Sequence, residues 1–176
     1  MQYVKLGDYT KIKTGKLDAN ASSIDGIYPF FTCSKQPLKI NSYSYDCECV
    51  LVAGNGEINA KYYNGKFDAY QRTYIIETND KSKLLVKYIY YFMLSYIDIL
   101  KSKSIGGVIK YIKLNNLTDA KIPLLSIDEQ TKALAELRIE FFDLSLSAIG
   151  DKMNPPMTKS SVNRRMKKLM ELAEDI

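Results

Sequence analysis

Short runs of β-branched and aromatic residues, separated by Gly, Asn, Asp and Pro, fill residues 1–80 of the chain. Runs of this kind between turn-forming residues are typical of β-strands. The pattern predicts strands at residues 9–13, 27–32, 49–53, 61–64 and 72–77. It also predicts turns at Asp25-Gly26, Gly54-Asn55-Gly56 and Asn64-Gly65. The front of the chain is therefore expected to be mainly sheet.

From residue 83 to residue 100 the apolar positions change to a spacing of three and four. This period predicts an amphipathic helix whose aromatic side chains belong to the core. The following residues predict a strand at 108–113, a short helical turn at 114–117 and a strand at 120–124 that ends around Pro123. Together with the front strands, these elements predict an α+β domain over residues 1–125.

The residues after 125 have a heptad pattern. Ser126 with Glu129 three positions later forms a capping box, which predicts a helix start. Asn154-Pro155-Pro156 must interrupt this helix, because proline removes a backbone donor and clashes with the preceding turn. We expect residues 126–176 to form two coiled-coil-like helices that lie on their own domain or pair with another helix. The apolar stripes predicted to contact a partner are Leu134, Leu137, Phe141, Leu144, Val162, Met166 and Leu169.

The composition is that of an ordinary globular protein, with 46% hydrophobic residues and 14 tyrosines in 176 residues. No apolar run approaches the ~20 residues that span a bilayer, and the polar start lacks a secretory apolar region, which predicts a cytoplasmic protein without a membrane contact. The three cysteines form no CxxC pair and are expected to be reduced.

Catalytic chemistry finds little support in the residues. The chain has no histidine, which removes the commonest general base and the commonest metal ligand. Gly54-Asn55-Gly56 lacks the Lys-Ser/Thr that follows a phosphate-binding loop, and no nucleophile stands beside a base in any known pattern. We therefore expect no catalytic residues, no metal and no cofactor.

The formal charge of +5 is unevenly distributed. Residues 101–113 contain four lysines and no acid around the pair Gly106-Gly107, whereas residues 127–150 contain five acids, one lysine and one arginine. Lysines near phosphates supply affinity for nucleic acid through counterion release. Binding of a polyanion is thus expected in the first two thirds of the chain, with a merely solvated lysine face as the alternative.

An ordered set of short motifs strongly resembles the specificity subunit of type I restriction-modification systems. The motifs are Val4-Lys5-Leu6-Gly7-Asp8, Ile12-Lys13-Thr14-Gly15-Lys16, Tyr28-Pro29-Phe30-Phe31-Thr32-Cys33-Ser34, Ala53-Gly54-Asn55-Gly56, Gly65-Lys66-Phe67, Tyr70-Gln71-Arg72-Thr73-Tyr74, Gly106-Gly107 through Tyr111-Ile112, and Lys121-Ile122-Pro123-Leu124 with Glu129-Gln130. The resemblance covers about 130 to 150 residues.

This resemblance implies a target recognition domain with a twisted mixed sheet and a packed helix, followed by a helix that sets spacing. It implies a non-catalytic subunit that reads one half of a bipartite double-stranded DNA site and delivers methyltransferase and restriction subunits to it. A full specificity subunit usually carries two such domains, so the chain is either a half-sized subunit or a fragment whose second half is absent. Two copies of a half-sized subunit could pair through residues 126–150 and 158–176 and restore a symmetric site.

Candidate DNA contacts follow from side-chain chemistry in the matching segments. An arginine reaches guanine O6 and N7, and an amide reaches adenine N6 and N7. Lysines are better assigned to phosphates, which position the protein without specifying sequence. The candidates for base contact are Arg72, Gln71, Asn55, Tyr70 and Tyr63, and those for backbone contact are Lys61, Lys66, Lys103 and Lys110.

Two alternatives stay open. Gln71 and Arg72 can instead tie the Gly54 turn to the sheet, since they lie in a motif that recurs across different specificities in the family. The chain can also be a diverged protein adaptor, or the recognition module of an orphan or fused DNA methyltransferase system.

Overall fold

A computed structural model describes residues 2–131 of the chain, and these residues form an α+β domain, as predicted. The strands are β1 (Gln2–Lys5), β2 (Thr10–Thr14), β3 (Tyr28–Phe31), β4 (Leu38–Ile40), β5 (Tyr45–Ala53), β6 (Ala60–Ala69), β7 (Thr73–Thr78) and β8 (Lys121–Leu124). The helices are α1 (Leu6–Tyr9), α2 (Val86–Lys103) and α3 (Leu114–Thr118), with a 3-10 turn at Ala19–Ala21.

The strands form a six-stranded mixed sheet in the order β2-β7-β5-β6-β3-β4 and a two-stranded sheet of β1 and β8. Neighbouring strands are antiparallel except for β3 and β6, which run parallel. The pairing of β1 with β8 joins the front of the chain to residues 121–124. Residues far apart in sequence therefore belong to one domain.

The central hairpin of the large sheet is strongly curved. Phe67 pairs with Tyr45 at the start of β5, whereas Thr73 pairs with Ala53 at its end. A straight strand from residue 45 to residue 53 would be roughly 26 Å long. The link from Ala69, the last residue of β6, to Thr73, the first residue of β7, spans about 14 Å at most and could not reach from one end of such a strand to the other. The sheet must curl to bring these ends together, and this curl carries the β6–β7 turn back to the end of β5.

The core has one hydrophobic cluster on each face of β5. Val50 and Val52 belong to a cluster with α2, where buried side chains such as Ile89 and Met93 recur at helical spacing. Cys49 and Leu51 point to the opposite face, into a cluster with Phe31, Tyr45, Phe67, Ala69 and Ile75. Because β5 is buried on both faces, it fixes the position of the turn that follows it at Gly54.

Five predicted strands correspond to β2, β3, β5, β6 and β7, and the predicted long helix, short helical turn and last strand correspond to α2, α3 and β8. The sequence pattern did not reveal β1, α1 and β4, which have four, four and three residues. The capping box is confirmed, because the Glu129 carboxylate accepts from the Ser126 amide at 2.8 Å and the Glu129 amide donates to Ser126 Oγ at 3.2 Å.

Two predictions were wrong. Asn64-Gly65 lies inside β6 rather than in a turn, and the φ of 134° at Gly65 gives the strand local freedom to bend while it pairs with Cys47. Residues 108–113 form an irregular loop rather than a strand, because only Tyr111 forms bridges, to Asn55 and Ile105. The predicted helices over 126–176 lie outside the described residues from residue 132 onward.

Candidate nucleic-acid interface

The Gly54-Asn55-Gly56 turn rests directly on the β6–β7 turn. The Gly54 amide donates a hydrogen bond to the Arg72 carbonyl at 2.7 Å. A Cβ atom at Gly54 would lie 2.4 Å from that carbonyl oxygen, so only glycine permits this approach. Gly56 has a φ of 66°, in the left-handed region that glycine enters without strain. These contacts bring Asn55 and Arg72 together.

The loop after β3 joins the same place through Cys33. Its thiol donates to Asn55 Oδ1 at 2.8 Å and lies 3.6 Å from the Arg72 carbonyl oxygen. The Asn59 side-chain amide donates to the Cys33 backbone carbonyl at 2.9 Å. Sequence reasoning missed this role, because the cysteines were interpreted only as reduced hydrophobic residues. The position of Cys33 directly after the Tyr-Pro-Phe-Phe-Thr strand motif was the available signal.

A fourth segment, residues 105–111, packs against the turn through its backbone. Ile105 and Tyr111 exchange two hydrogen bonds of 2.9 Å, which close the loop at its base. The Gly56 amide donates to the Lys110 carbonyl at 2.9 Å, and the Ile112 amide donates to the Gly54 carbonyl at 2.9 Å. We call Cys33 with residues 54–56, 70–72 and 105–111 the loop cluster.

The predicted base-contact residues differ in how they are held. Arg72 is exposed, and within residues 2–131 its guanidinium has no hydrogen bond or ion pair. Gln71 is also exposed, but its side-chain amide donates to Asp18 Oδ1 at 2.9 Å, and its backbone amide donates to the Leu17 carbonyl. The Gln71 side chain thus ties the β6–β7 turn to the segment after β2, while the Arg72 side chain remains available.

The two predicted tyrosines are partly buried. Tyr70 donates its backbone amide to the Phe31 carbonyl at 2.9 Å. The Tyr63 ring packs against Phe31 and Phe67, with centroid distances of 5.0 Å and 5.6 Å, and its hydroxyl donates to the Lys66 carbonyl at 3.3 Å. Tyr63 therefore contributes to the second core cluster.

The four predicted phosphate-binding lysines do not lie in one group. Lys110 belongs to the loop cluster, and Lys61 donates to Asn59, the residue that holds Cys33. Burial lowers the pKa of Lys61. Lys66 lies over the Tyr43 ring at 4.7 Å, and the hydrogen bond with Tyr43 raises the pKa of this lysine. The ammonium of Lys103 lies 3.2 Å from the Tyr96 hydroxyl.

Two other features are absent from the described residues. Within residues 2–131, no group of three or more Cys, Asp or Glu side chains is placed to hold a metal ion. No helix in that same range is long and apolar enough to cross a membrane. The predicted partner residues Leu134, Leu137, Phe141, Leu144, Val162, Met166 and Leu169 all lie outside the described part of the chain.

Comparison with known proteins relates the second part of the chain to WhiA proteins. The family model described as the WhiA C-terminal HTH domain matches residues 101–173. A probable cell division protein WhiA from Clostridium tetani is 31% identical over 75 residues, which is 43% of this chain and 24% of the relative. Residues 121–124 of the matched segment form β8, which pairs with β1.

A longer match concerns a different class of protein. The type I restriction enzyme EcoDI specificity subunit of Escherichia coli is 45% identical over 130 residues, covering 73% of this chain and 28% of that relative. The crystal structure of a type I restriction-modification S subunit from M. genitalium has the same fold over 82% of this chain and 39% of its own, at 19% identity and a TM-score of 0.69. The chain thus spans less than a third of its E. coli relative. The predicted resemblance to a target recognition domain of type I specificity subunits is confirmed.

Proposed function

We propose that this chain recognises duplex DNA and that its loop cluster reads one half of a bipartite site. The observation that carries the proposal is the meeting of four segments around Gly54, which brings the Arg72 backbone next to the Asn55 turn, while residues 2–131 give the Arg72 guanidinium no hydrogen bond or ion pair. The 45% identity to a specificity subunit supports the same function. In this proposal the loop cluster selects the sequence, and the chain performs no chemistry itself.

The side chains at the loop cluster suit base recognition. A guanidinium can donate two parallel hydrogen bonds to guanine O6 and N7. Asn55 Oδ1 accepts a hydrogen bond from the Cys33 thiol, but its second lone pair can still accept another. Among residues 2–131, Nδ2 donates neither of its two hydrogens. Asn55 can therefore still form a bidentate contact with adenine. Lys61 and Lys110 are proposed to contact phosphates beside these bases, and Lys66 and Lys103 to contact phosphates farther along the duplex.

Titration of the protein with duplex DNA at increasing salt tests this function. A recognition domain should lose affinity steeply as salt rises, because phosphate contacts release counterions. Arg72→Ala should change sequence preference, whereas Lys103→Ala should weaken binding to all sequences alike and reduce the salt slope by about one. Binding that is absent or insensitive to salt, even with a methyltransferase partner present, would instead favour a protein adaptor.

We further propose that the chain acts in the cytoplasm and delivers a methyltransferase subunit, and through it a restriction subunit, to the recognised site. Mapping of methylated bases in cells that contain this chain with its methyltransferase would reveal the site. Methylation should appear at one sequence motif and disappear with Arg72→Ala. An unchanged methylation pattern without this chain would contradict delivery and leave recognition by an orphan or fused methyltransferase system to be considered.

A bipartite site has two half-sites, and one recognition domain reads one of them. We propose that residues 1–125 are the recognition domain and that residues 126–176, broken at Pro155-Pro156, provide spacer helices through which two copies pair. The apolar heptad positions in the sequence support this arrangement. A closed dimer would present two recognition domains to a symmetric site.

The match to the WhiA C-terminal HTH domain favours a second candidate function for residues after 131. A helix-turn-helix places a recognition helix in the major groove. Because residues 121–124 form a strand of the first domain, such a unit would have to follow the described residues. Residues 158–176 carry Arg164, Arg165, Lys167 and Lys168, which suit phosphate contact. Reversing these four charges should weaken DNA binding under this hypothesis and leave it unchanged if the segment only pairs two copies.

A further inference from the structure

The loop at residues 105–111 has a rigid base and an apolar tip. Its base is closed by the two Ile105–Tyr111 hydrogen bonds and tied to the Gly54 turn by the Gly56–Lys110 and Ile112–Gly54 bonds. The Tyr74 hydroxyl also donates to the Ile112 carbonyl at 3.2 Å. Gly106 has a φ of 115°, and a Cβ there would lie 2.4 Å from the Ile109 carbonyl oxygen, so the bend requires glycine.

Two branched apolar side chains form the tip. Val108 is completely exposed and Ile109 is 61% exposed, although both types are normally buried. A Cβ atom at Gly107, beside them, would meet no other atom within 4 Å, so the tip projects into open space. The base of the loop does not need these side chains, because its hydrogen bonds join backbone groups and the Tyr74 hydroxyl, and neither the Val108 nor the Ile109 side chain takes part in them.

Positively charged residues flank this apolar tip in the sequence. Lys110 lies directly beyond Ile109, and Lys101, Lys103 and Lys113 flank the loop in a segment that contains no acid. The ion pairs among the described residues engage only Lys101 of these four, with the exposed Asp98. A polyanion surface is therefore complementary to the surroundings of the tip, whereas an apolar protein partner would have to bury several lysines around it.

Resting on the proposed DNA-binding function, we propose that Val108 and Ile109 form a wedge that inserts between stacked base pairs of the recognised duplex. Apolar wedges unstack a base step and kink the duplex, and the cost of unstacking is offset by wider contact with the protein. The lysines around the loop hold the adjacent phosphates. Since the loop is bonded to the Gly54 turn, insertion would set the register at which Asn55 and Arg72 meet the bases.

Comparison of the double variant Val108→Ser/Ile109→Ser with the full-length wild type tests the wedge. The matched control is Ile24→Ser/Ile27→Ser, which removes two apolar side chains that are 94% and 75% exposed on another loop. A set of duplexes carries the site found by methylation mapping, with 2-aminopurine at a different position in each. The fluorescence of 2-aminopurine rises when this base unstacks. Wild type and control should raise the fluorescence at one step, and the wedge variant should not.

Affinity measured at several salt concentrations gives a second readout. The wedge variant should bind at least about tenfold more weakly with an unchanged salt slope, because no phosphate contact is lost, whereas Lys110→Ala should reduce the slope. If the wedge variant binds and unstacks DNA as wild type does, the wedge is wrong while DNA recognition stands. Loss of methyltransferase binding alone would make the tip a protein contact and also overturn the proposal. If wild type binds no DNA, the proposed function itself fails.

Discussion

At the scale of single residues, Gly54 controls the geometry of the loop cluster. Its missing side chain lets the Arg72 carbonyl approach, and its amide and carbonyl bond to two different segments. Gly54→Ala should therefore separate the turn from residues 70–72 and destabilise the domain by about 1–3 kcal/mol, as overpacked sites do. Thermal unfolding measures the loss.

Gly107→Ala is the matched control for this prediction. The same methyl group at Gly107 would meet no atom within 4 Å, and the residue is not in the left-handed region, so its thermal midpoint should stay within a degree or two of wild type. Equal midpoints for the Gly54 and Gly107 variants would show that the close approach at Gly54 is not needed.

The side chains of the loop cluster were only partly predictable from the sequence. The glycine turn and the Tyr-Gln-Arg run indicated Asn55 and Arg72, since amides and guanidinium groups beside glycines suit base edges. The Cys33 contact with Asn55 was not predictable, because it joins residues 22 positions apart through the curl of the sheet. Nor could spacing distinguish Gln71, bonded to Asp18, from Arg72 next to it.

At the scale of elements, Gln130 fixes the helical residues 127–131, with which the described part of the chain ends, against the segment before α2. Its side chain is completely buried and makes three hydrogen bonds, accepting from the Leu85 amide at 3.0 Å and donating to the Lys83 and Leu125 carbonyls at 2.7 and 2.8 Å. Gln130 lies four residues before Leu134, so the heptad spacing extends to it and predicts its burial, but the spacing does not reveal its polar partners.

Gln130→Ala should leave these three backbone groups without partners and lower the free energy of unfolding by about 2 kcal/mol or more. Hydrogen exchange at the Leu85 amide should accelerate beyond the change expected from the global loss. The control is Thr131→Ala, at an exposed neighbour whose hydroxyl donates, among the described residues, to the Ile127 carbonyl, and it should change stability by less than about 0.5 kcal/mol. Unchanged Leu85 exchange in Gln130→Ala would contradict the role of this contact.

A second element-scale contact makes stability depend on pH. Glu48 on β5 accepts from the Tyr62 hydroxyl on β6 at 2.8 Å and from Lys81 at 2.6 Å. The hydrogen bond from Lys81, followed by that from Tyr62, lowers the pKa of Glu48, and burial with Glu48 nearby raises the pKa of Tyr62 to about 12. A lowered carboxyl pKa stabilises the fold at neutral pH, and this contribution is lost as pH falls below the ordinary value near 4.5.

Glu48→Gln should thus be less stable than wild type at pH 7 by about 1 kcal/mol or less, because Lys81 is exposed and solvent weakens the pair. The difference should shrink toward pH 3, because below about 4.5 the unfolded chain takes up a proton at Glu48 more readily than the folded protein does. Urea unfolding at both pH values measures it, with Asp98→Asn, at a pair whose aspartate is 93% exposed, as the control. A difference that grows on acidification would contradict the assigned direction.

At the scale of the whole molecule, local patterns predicted elements better than their arrangement. The strand and helix periods located β2, β3, β5, β6, β7 and α2, because the buried face of a strand or helix carries apolar residues at regular spacing. The pairing of β1 with β8, and the curl that carries Thr73 to Ala53, depend on contacts between distant residues. The ordered resemblance to a known family implied a twisted mixed sheet with a packed helix, but neither this pairing nor the curl.

The number of recognition domains in the assembly decides whether this chain can read a bipartite site. If residues 126–176 pair two copies, mass measured by light scattering should be twice the 20.1 kDa of the chain and should fall to that of a monomer on removal of residues 151–176. The removed segment contains Val162, Met166 and Leu169, the apolar stripe proposed for the interface. As a control, Arg164→Ser/Lys168→Ser should remain dimeric, because these charges lie off the apolar stripe in sequence. A full-length monomer at all concentrations used for DNA binding would instead mean that a single copy reads one half-site.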